Sequence, residues 1–386
     1  MQKKSMIALT GIDQITALLQ QSKNRTDLQP IAVAYGESDF PIHEYVNLSL
    51  TSEEVSAVRG YSDILGRKQL REKISHFYAS ALEVEIPTAR ICITDGATGA
   101  LVLALGILVT PGCEVIIPAI RYSVYSRIIE MFGGRPIAAP LDQNFNFDLK
   151  RLAPLVSEKT VAILVNSPGN PCGNITGLET LEAITSYGVP VIFDEVYQAL
   201  TFSESGAPSA VELLGEHFIV NALSKSFAVP GFRVGFLIVP SPYLNAAQSL
   251  KVTLNPSTSN TAQILADRLF DNAHSVLDAH RAYIRHSRDA FLSVCERYEI
   301  QLVTEPRAGF YGMLDLDGCA DSMTVAQLLA KEYAVAVAPG IDFTQNDPSF
   351  LRVNFTGNVS EVEEAVRRIA VCIKAIKNGE HHLSMI

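Results

Sequence analysis

The stretch between residues 90 and 252 constrains the fold most. Short runs of β-branched and aliphatic residues alternate there with helix-length segments. Strands are predicted over Arg90–Thr94, Glu114–Pro118, Thr160–Val165, Val189–Asp194, His217–Asn221 and Arg233–Val239. Helices are predicted over Thr98–Leu108, Ser123–Phe132, Leu178–Tyr187 and Pro242–Val252. Continuous apolar strands need cover on both faces, and the intervening helices supply it. The class is therefore α/β, with a mainly parallel sheet sandwiched by helices.

Beyond that region the pattern changes. A long helical stretch runs from about Asn260 to Tyr298, with Ile264, Leu265, Leu269, Val276 and Leu277 at helical spacing. Strand-like runs Gln301–Thr304, Phe310–Leu316 and Leu351–Phe355 then surround a helix at Val325–Glu332, and a last helix runs Val362–Ile376. This reads as a smaller α+β domain. Near the start, Ile12, Ile15, Leu18 and Leu19 also keep helical spacing. The expected division is an N-terminal segment, 1–45, packing with the small domain; a large domain, 46–280; and the small domain, 281–386. A chain of 386 residues can bury two such cores.

Charge and cysteine usage narrow the function. A net charge of −10 argues against a nucleic-acid-binding surface as the main business of the chain. The cysteines, Cys92, Cys113, Cys172, Cys295, Cys319 and Cys372, are scattered without CxxC pairs, and no histidine cluster has metal-ligand spacing. His381 and His382 read as part of a frayed polar tail. The start, MQKKSMIALTG, has too short an apolar run for a secretory signal, and the run Ala100–Val109 is about half a membrane span. The expected setting is cytoplasmic, with free thiols, no metal, no membrane and no nucleic acid.

Five segments carry chemistry. Lys225, in NALSKSFAVPGFRVGF, follows a predicted strand among small residues, eight positions before Arg233. A lysine there could serve as a Schiff-base nucleophile if partly desolvated; a solvated surface lysine is the alternative. Asp194 ends the apolar strand of IFDEVYQAL, at the strand end where ligands of open α/β sheets sit. It could keep a pyridinium nitrogen protonated, with Tyr197 donating to a phenolate oxygen on the same ring, or it could simply cap the next turn. In ITDGATGALVLAL a strand, a glycine turn and a helix start follow one another, a geometry that suits a phosphate. The segment fits neither a Walker A loop nor GxGxxG, which disfavours a nucleotide. Asn170 stands in the rigid turn NSPGNPCG, as a polar group or a plain turn residue. Arg352 lies in the apolar strand FLRVNF, where burial demands an anion: a substrate carboxylate, or a structural Asp or Glu.

Taken in order, these segments resemble the class I/II aminotransferases of the fold-type I pyridoxal-5′-phosphate (PLP) superfamily. The match runs from IAVAYGESDFP through YSDILGRKQLREKI, the glycine turn, NSPGNPCG, IFDEVY and SKSFAVPGFRVG to FLRVNF. The resemblance implies a seven-stranded sheet and a homodimer with shared active sites. It implies an internal aldimine on Lys225, which also moves the proton between Cα and C4′. Asp194 would face the pyridine nitrogen, and Asn170 and Tyr197 the phenolic oxygen. Tyr122 would stack on the ring. Gly96, Ala97, Thr98, Ser224 and Arg233 would hold the phosphate, with Tyr61 reaching it from the other subunit. Arg352 would bind the substrate α-carboxylate, with Asn170 beside it, and Gly36 would lie in the loop over the substrate.

The chain departs from the family at several positions. Ala222 replaces a serine often found three residues before the lysine, Cys172 replaces the threonine of NPTG, and Ser38 stands where proline is usual. Arg121, just before Tyr122, is unusual and could face the substrate or the phosphate. Thr98 stands where some aspartate-specific relatives place a lysine, which leans away from aspartate as donor. The implied reaction moves an amino group from an L-amino acid to a 2-oxo acid. The same groups also support PLP-dependent lyase, cyclase, decarboxylase or oxidase chemistry, and a non-catalytic binding module on this fold is a further alternative.

Overall fold

The structure, a computed structural model, describes residues 9–22, 28–203, 206–344 and 349–380. The first eight residues of the N-terminal reading, and His381 and His382, lie outside them.

A seven-stranded sheet forms the centre. Its spatial order is Ile91–Thr94, Gly235–Ile238, Phe218–Ala222, Val191–Asp194, Thr160–Asn166, Glu114–Pro118 and Arg135–Ala139. The last five strands run parallel. Gly235–Ile238 runs antiparallel to both of its neighbours. Successive side chains point to opposite faces, and both faces are buried. Ile93, Ile163, Phe193, Ile219 and Phe236 pack in one cluster with Leu70 and Ile74 from helix Lys68–Leu82. Cys92, Val115, Leu164, Ile192, Val220 and Leu237 pack in the other, with Leu101 and Leu105 from helix Gly96–Leu108 and Ile129 from Val124–Met131. This double burial is what the unbroken apolar strands require.

Two elements differ from the sequence reading. Arg135–Ala139 is a strand that the pattern did not mark, because it carries Pro136 and has only one fully buried residue. It sits at the sheet edge, where a proline costs no ladder hydrogen bond on the open side. The stretch expected as one helical run is two helices, Asn260–Asp271 and Ala273–Arg297, broken at Asn272 with φ −131° and ψ 32°. Asparagine competes for its own backbone and favours such breaks.

The long helix Ala273–Arg297 leads to a second, antiparallel sheet ordered Ala338–Pro339, Phe350–Asn354, Tyr311–Asp315 and Leu302–Thr304. Ile15 and Leu19 of the first helix, Gly11–Ser22, share a core with Leu314, Leu328, Leu351 and Ile369. Ile31–Ala32 pairs in parallel with Val335–Ala336. The N-terminal segment is thereby stitched to the second sheet, and residues 33–40 are led toward the edge of the first. Among the described residues, no helix is long and apolar enough to cross a membrane.

Candidate active site

The strands ending at Asp194, Asn166 and Ala222 open on a cavity of about 400 Å³. Its wall includes Gly36, Ala97, Thr98, Tyr122, Asn170, Asp194, Tyr197, Ser224, Lys225, Arg233 and Arg352. Residues from seven separate segments thus meet around one space. Gly96 sits just behind the wall. Tyr61 does not line the cavity and is 89% exposed on the surface of the single chain.

Lys225 lies in the one-turn helix Leu223–Ser226 that follows strand Phe218–Ala222. Its side chain is half-buried, and its Nζ donates to the Gly36 carbonyl at 2.5 Å. Asp194 closes its strand at 3% exposure. Burial pushes its pKa up to about 6, while the Tyr125 hydroxyl at 2.5 Å, the Val196 amide and the Lys225 charge pull the other way. Among the described residues, Asp194 has no salt bridge within 4.0 Å. It is a carboxylate held by neutral donors and left facing the cavity.

At the opposite wall Arg352 is buried in strand Phe350–Asn354. One terminal nitrogen donates to Asn170 Oδ1 at 3.0 Å and the other to the Ala34 carbonyl, while Nε has no partner. The guanidinium lies 4.1 Å from the centre of the Tyr311 ring and 4.8 Å from that of Phe343. No carboxylate among the described residues forms an ion pair with it, so the structural Asp or Glu considered from sequence is not there. Asn166 fixes Asn170 in turn: its Oδ1 accepts from the Asn170 amide at 2.9 Å, and its Nδ2 donates to the Asp194 carbonyl at 3.0 Å.

The third corner is built from backbone. Helix Gly96–Leu108 begins without a side-chain cap, and its first-turn amides have no intrahelical acceptors. Gly96 has φ +69°, and a Cβ added there would lie 2.7 Å from Arg233 Nη2. A Cβ on Gly235 would lie 2.5 Å from the Gly96 carbonyl carbon. The two glycines therefore let the turn, the strand start and the arginine converge. The Arg233 guanidinium donates to the Pro230 carbonyl at 3.0 Å and has no carboxylate partner among the described residues.

Sequence reasoning missed two groups. Tyr125, whose hydroxyl grips Asp194, follows Tyr122 by three residues, so the helical spacing of the pair in RYSVY was the available signal. Tyr311 meets Tyr197 with hydroxyls 3.1 Å apart. Burial raises both phenols, and Tyr197 stays well above the ordinary value. For Tyr311, Lys225 and Arg352 outweigh burial and make it the more acidic partner. Nothing in GFYGM announced this role. Arg121 turns away from the cavity; its Nε donates to Ser126 Oγ at 3.0 Å and its Nη1 to the Ala119 carbonyl at 2.9 Å. Cys172 is buried and packs with Met313, Phe343 and Phe350.

A mainly parallel sheet with a lysine after one of its strands, a buried acid on the neighbouring strand and an uncapped helix N-terminus has the layout of the fold-type I transferases. The family model for aminotransferases of class I and II matches residues 27–369, and the chain belongs to that family. It is a transaminase. It is 30% identical over 321 residues to the valine–pyruvate aminotransferase of Mycobacterium tuberculosis, covering 80% of this chain and 82% of that one. It is 26% identical over 369 residues to an aspartate aminotransferase of Streptomyces avermitilis, covering 90% of each. The crystal structure of YbdL from Escherichia coli, for which a methionine aminotransferase function was identified, superposes with a TM-score of 0.85 at 25% identity, over 96% of this chain and all of the other.

Proposed function

We propose that Lys225 holds pyridoxal 5′-phosphate through its amine, and that the enzyme transfers an amino group from an L-amino acid to a 2-oxo acid at this site. One observation carries the reading. A lysine amine, a buried acid with neutral partners and a buried arginine with an unpartnered nitrogen all border the same 400 Å³ cavity. The donor set fits the group: with no side chain at Gly96, the Arg233 guanidinium lies against the uncapped helix start, so a cation, the Ser224 hydroxyl and free amides border the same space.

The roles are those that the resemblance to the family implies. The amides of Gly96, Ala97 and Thr98, the Ser224 hydroxyl and the Arg233 guanidinium would hold the phosphate, with Tyr61 of the partner subunit of a homodimer beside them. Tyr122 would lie against the ring, and Asn170 and Tyr197 would donate to its phenolic oxygen. Asp194, ionised above about pH 6, would keep a proton on the ring nitrogen of the bound cofactor. When bound, the cofactor supplies an electron sink for the pair left at the substrate Cα. Arg352 takes the α-carboxylate in its fork and orients the Cα–H bond. Lys225, its amine released once the substrate's amino group has displaced it from the cofactor, would be the base that removes that proton. Tyr35, Gly36 and Glu37 wall the substrate from solvent. We also propose the division into segments 1–45, 46–280 and 281–386. A cytoplasmic setting is proposed on the strength of the free cysteines.

The test is spectroscopic and then chemical. The purified protein with added PLP should gain visible absorbance that Lys225→Ala lacks. A panel of amino donors should switch that spectrum to the amine form, and a 2-oxo acid should restore it. A spectrum indifferent to Lys225, or consumption of an amino acid with no need of an oxo-acid acceptor, would overturn the proposal.

A further inference from the structure

His280 is completely buried on helix Ala273–Arg297 and takes no part in the roles above. Its Nδ1 lies 2.7 Å from the carbonyl oxygen of Ser226, the residue after the lysine. Its Nε2 lies 2.9 Å from the hydroxyl of Ser38, two residues after Gly36. A carbonyl oxygen only accepts, so Nδ1 carries the proton. Burial lowers the imidazole pKa to about 4, which leaves the ring neutral. Nε2 must then accept, and the Ser38 hydroxyl donates to it. The Phe40 ring stacks on the imidazole with centroids 4.6 Å apart.

These bonds close a circuit. Lys225 Nζ reaches the Gly36 carbonyl, the chain runs from Gly36 to Ser38, Ser38 holds His280, and His280 holds the carbonyl next to Lys225. The opposite side of the loop is tied down separately. Asn354 Nδ2 donates to the carbonyls of Tyr35 at 2.9 Å and Glu37 at 2.5 Å, and Thr356 Oγ1 donates to that of Glu37 at 3.1 Å. Asn354 lies two residues beyond Arg352 on the same strand. The loop is therefore strung between the strand bearing the arginine and the segment bearing the lysine, and it forms part of the cavity wall.

We propose that Ser38 and His280 are a positioning pair: a latch that sets how closely residues 36–40 lie over the lysine segment and so tunes substrate binding. The Lys225–Gly36 bond exists only while the amine is free, whereas the His280 tie does not depend on what the amine carries. The latch holds the wall in both conditions. Proline at position 38 would remove the donating hydroxyl and leave Nε2 buried without a partner.

The test has two arms. In cofactor-free protein, Ser38→Ala should speed amide exchange across residues 36–40 and leave Leu351–Asn354 unchanged, while Ser38→Thr should keep the wild-type rate. In the loaded enzyme, Ser38→Ala and His280→Met should each raise KM for the amino donor about fivefold, as loss of one buried hydrogen bond implies. Turnover should change far less, and the double variant should be no worse than either single one. Unchanged exchange in the loop, or fully additive KM effects, would overturn the latch. The kinetic arm rests on the proposed function; the exchange arm does not, so an inactive wild-type protein would sink the transaminase reading and leave the latch to be judged on exchange alone.

Discussion

Replacing Tyr125 by phenylalanine tests how the fold tunes the acid at the heart of the site. The Tyr125 hydroxyl donates to Asp194 Oδ2 at 2.5 Å, and both side chains are almost wholly buried. Burial lifts Asp194 from an ordinary 3.8 to about 6, a difference that corresponds to about 3 kcal/mol against the ionised form. The hydrogen bond offsets part of that burial cost. A bond to a charged acceptor is worth about 1.5–3 kcal/mol and one to a neutral acceptor about 0.5–1.5. Losing it should therefore penalise the carboxylate by about 1.4 kcal/mol more than the acid, which moves the midpoint up by about one pH unit. Infrared titration of the buried carboxyl band in cofactor-free protein should find a midpoint near 6 in the wild type and about 7 in Tyr125→Phe. The sign follows from proton counts. Asp194 has a raised pKa in the fold, so the native state binds more protons than the unfolded chain between about pH 4 and its own midpoint, and stability falls as pH rises through that window. In the variant the window extends further upward. Its stability deficit should be smallest below pH 6 and grow by about 1.4 kcal/mol by about pH 8 at fixed protein concentration. A deficit equal at pH 5 and pH 8, or an unmoved carboxyl midpoint, would refute the claim that this bond selects the carboxylate.

Three further outcomes are expected. Gly36→Ala would place a Cβ 1.7 Å from the Tyr311 hydroxyl oxygen and 3.3 Å from Lys225 Nζ; thermal unfolding should show a loss of about 1–3 kcal/mol from displacing the buried Tyr311 ring, and steady-state kinetics should show KM for the amino donor raised about tenfold or more. Arg352→Lys keeps the charge but loses the planar fork, so kcat/KM for α-amino acids should fall roughly 10- to 100-fold while the visible spectrum of the bound cofactor persists; retention of full activity would remove Arg352 from the carboxylate site. Glu195, buried and held by the Ser209 hydroxyl and the Ala210 amide, has its pKa pushed up to about 7 by burial. Wild-type stability should therefore fall between about pH 4.5 and 7 by about 3 kcal/mol on this account, and urea midpoints of Glu195→Gln should lack that component.

The sequence carried the large sheet because its strands are apolar on both faces and short, so burial and strand identity coincide; Glu114–Pro118 has the same bounds in pattern and structure. It carried the residues that follow strands, since Asp194 and Lys225 stand where a hydrophobic run stops. It did not carry the direction of Gly235–Ile238, whose composition is indifferent to whether its neighbours run parallel or antiparallel. Nor did it carry contacts between distant segments. Tyr311 is separated from Tyr197 by 114 residues, and His280 from Ser38 by 242, and neither has a local pattern that distinguishes a functional from a merely buried side chain. Ser38 was visible as a departure from proline, but its reason lay in a histidine that looked like one more position on an amphipathic helix.

That antiparallel strand explains why residues before and after strands share one site. In a wholly parallel sheet only groups that follow strands reach the carboxyl edge. Here Gly235 pairs with Ala222 on one side and with Thr94 on the other, both near the carboxyl ends of their strands. Reversal places the start of Gly235–Ile238 at the edge where Ile91–Thr94 and Phe218–Ala222 finish. Arg233, which precedes a strand, therefore meets Gly96 and Lys225, which follow strands. The next strands extend the line, since Asp194 pairs with Val220 and Asn166 with Asp194. Neighbouring strands lie about 4.8 Å apart, so an anion site beside Gly96 and an acid three strands further on are separated by roughly 14 Å of sheet edge before the side chains lean inward. An extended ligand with a phosphate at one end and a basic ring at the other suits that line better than a compact one, and the order of strands in the sheet sets the order of its contacts.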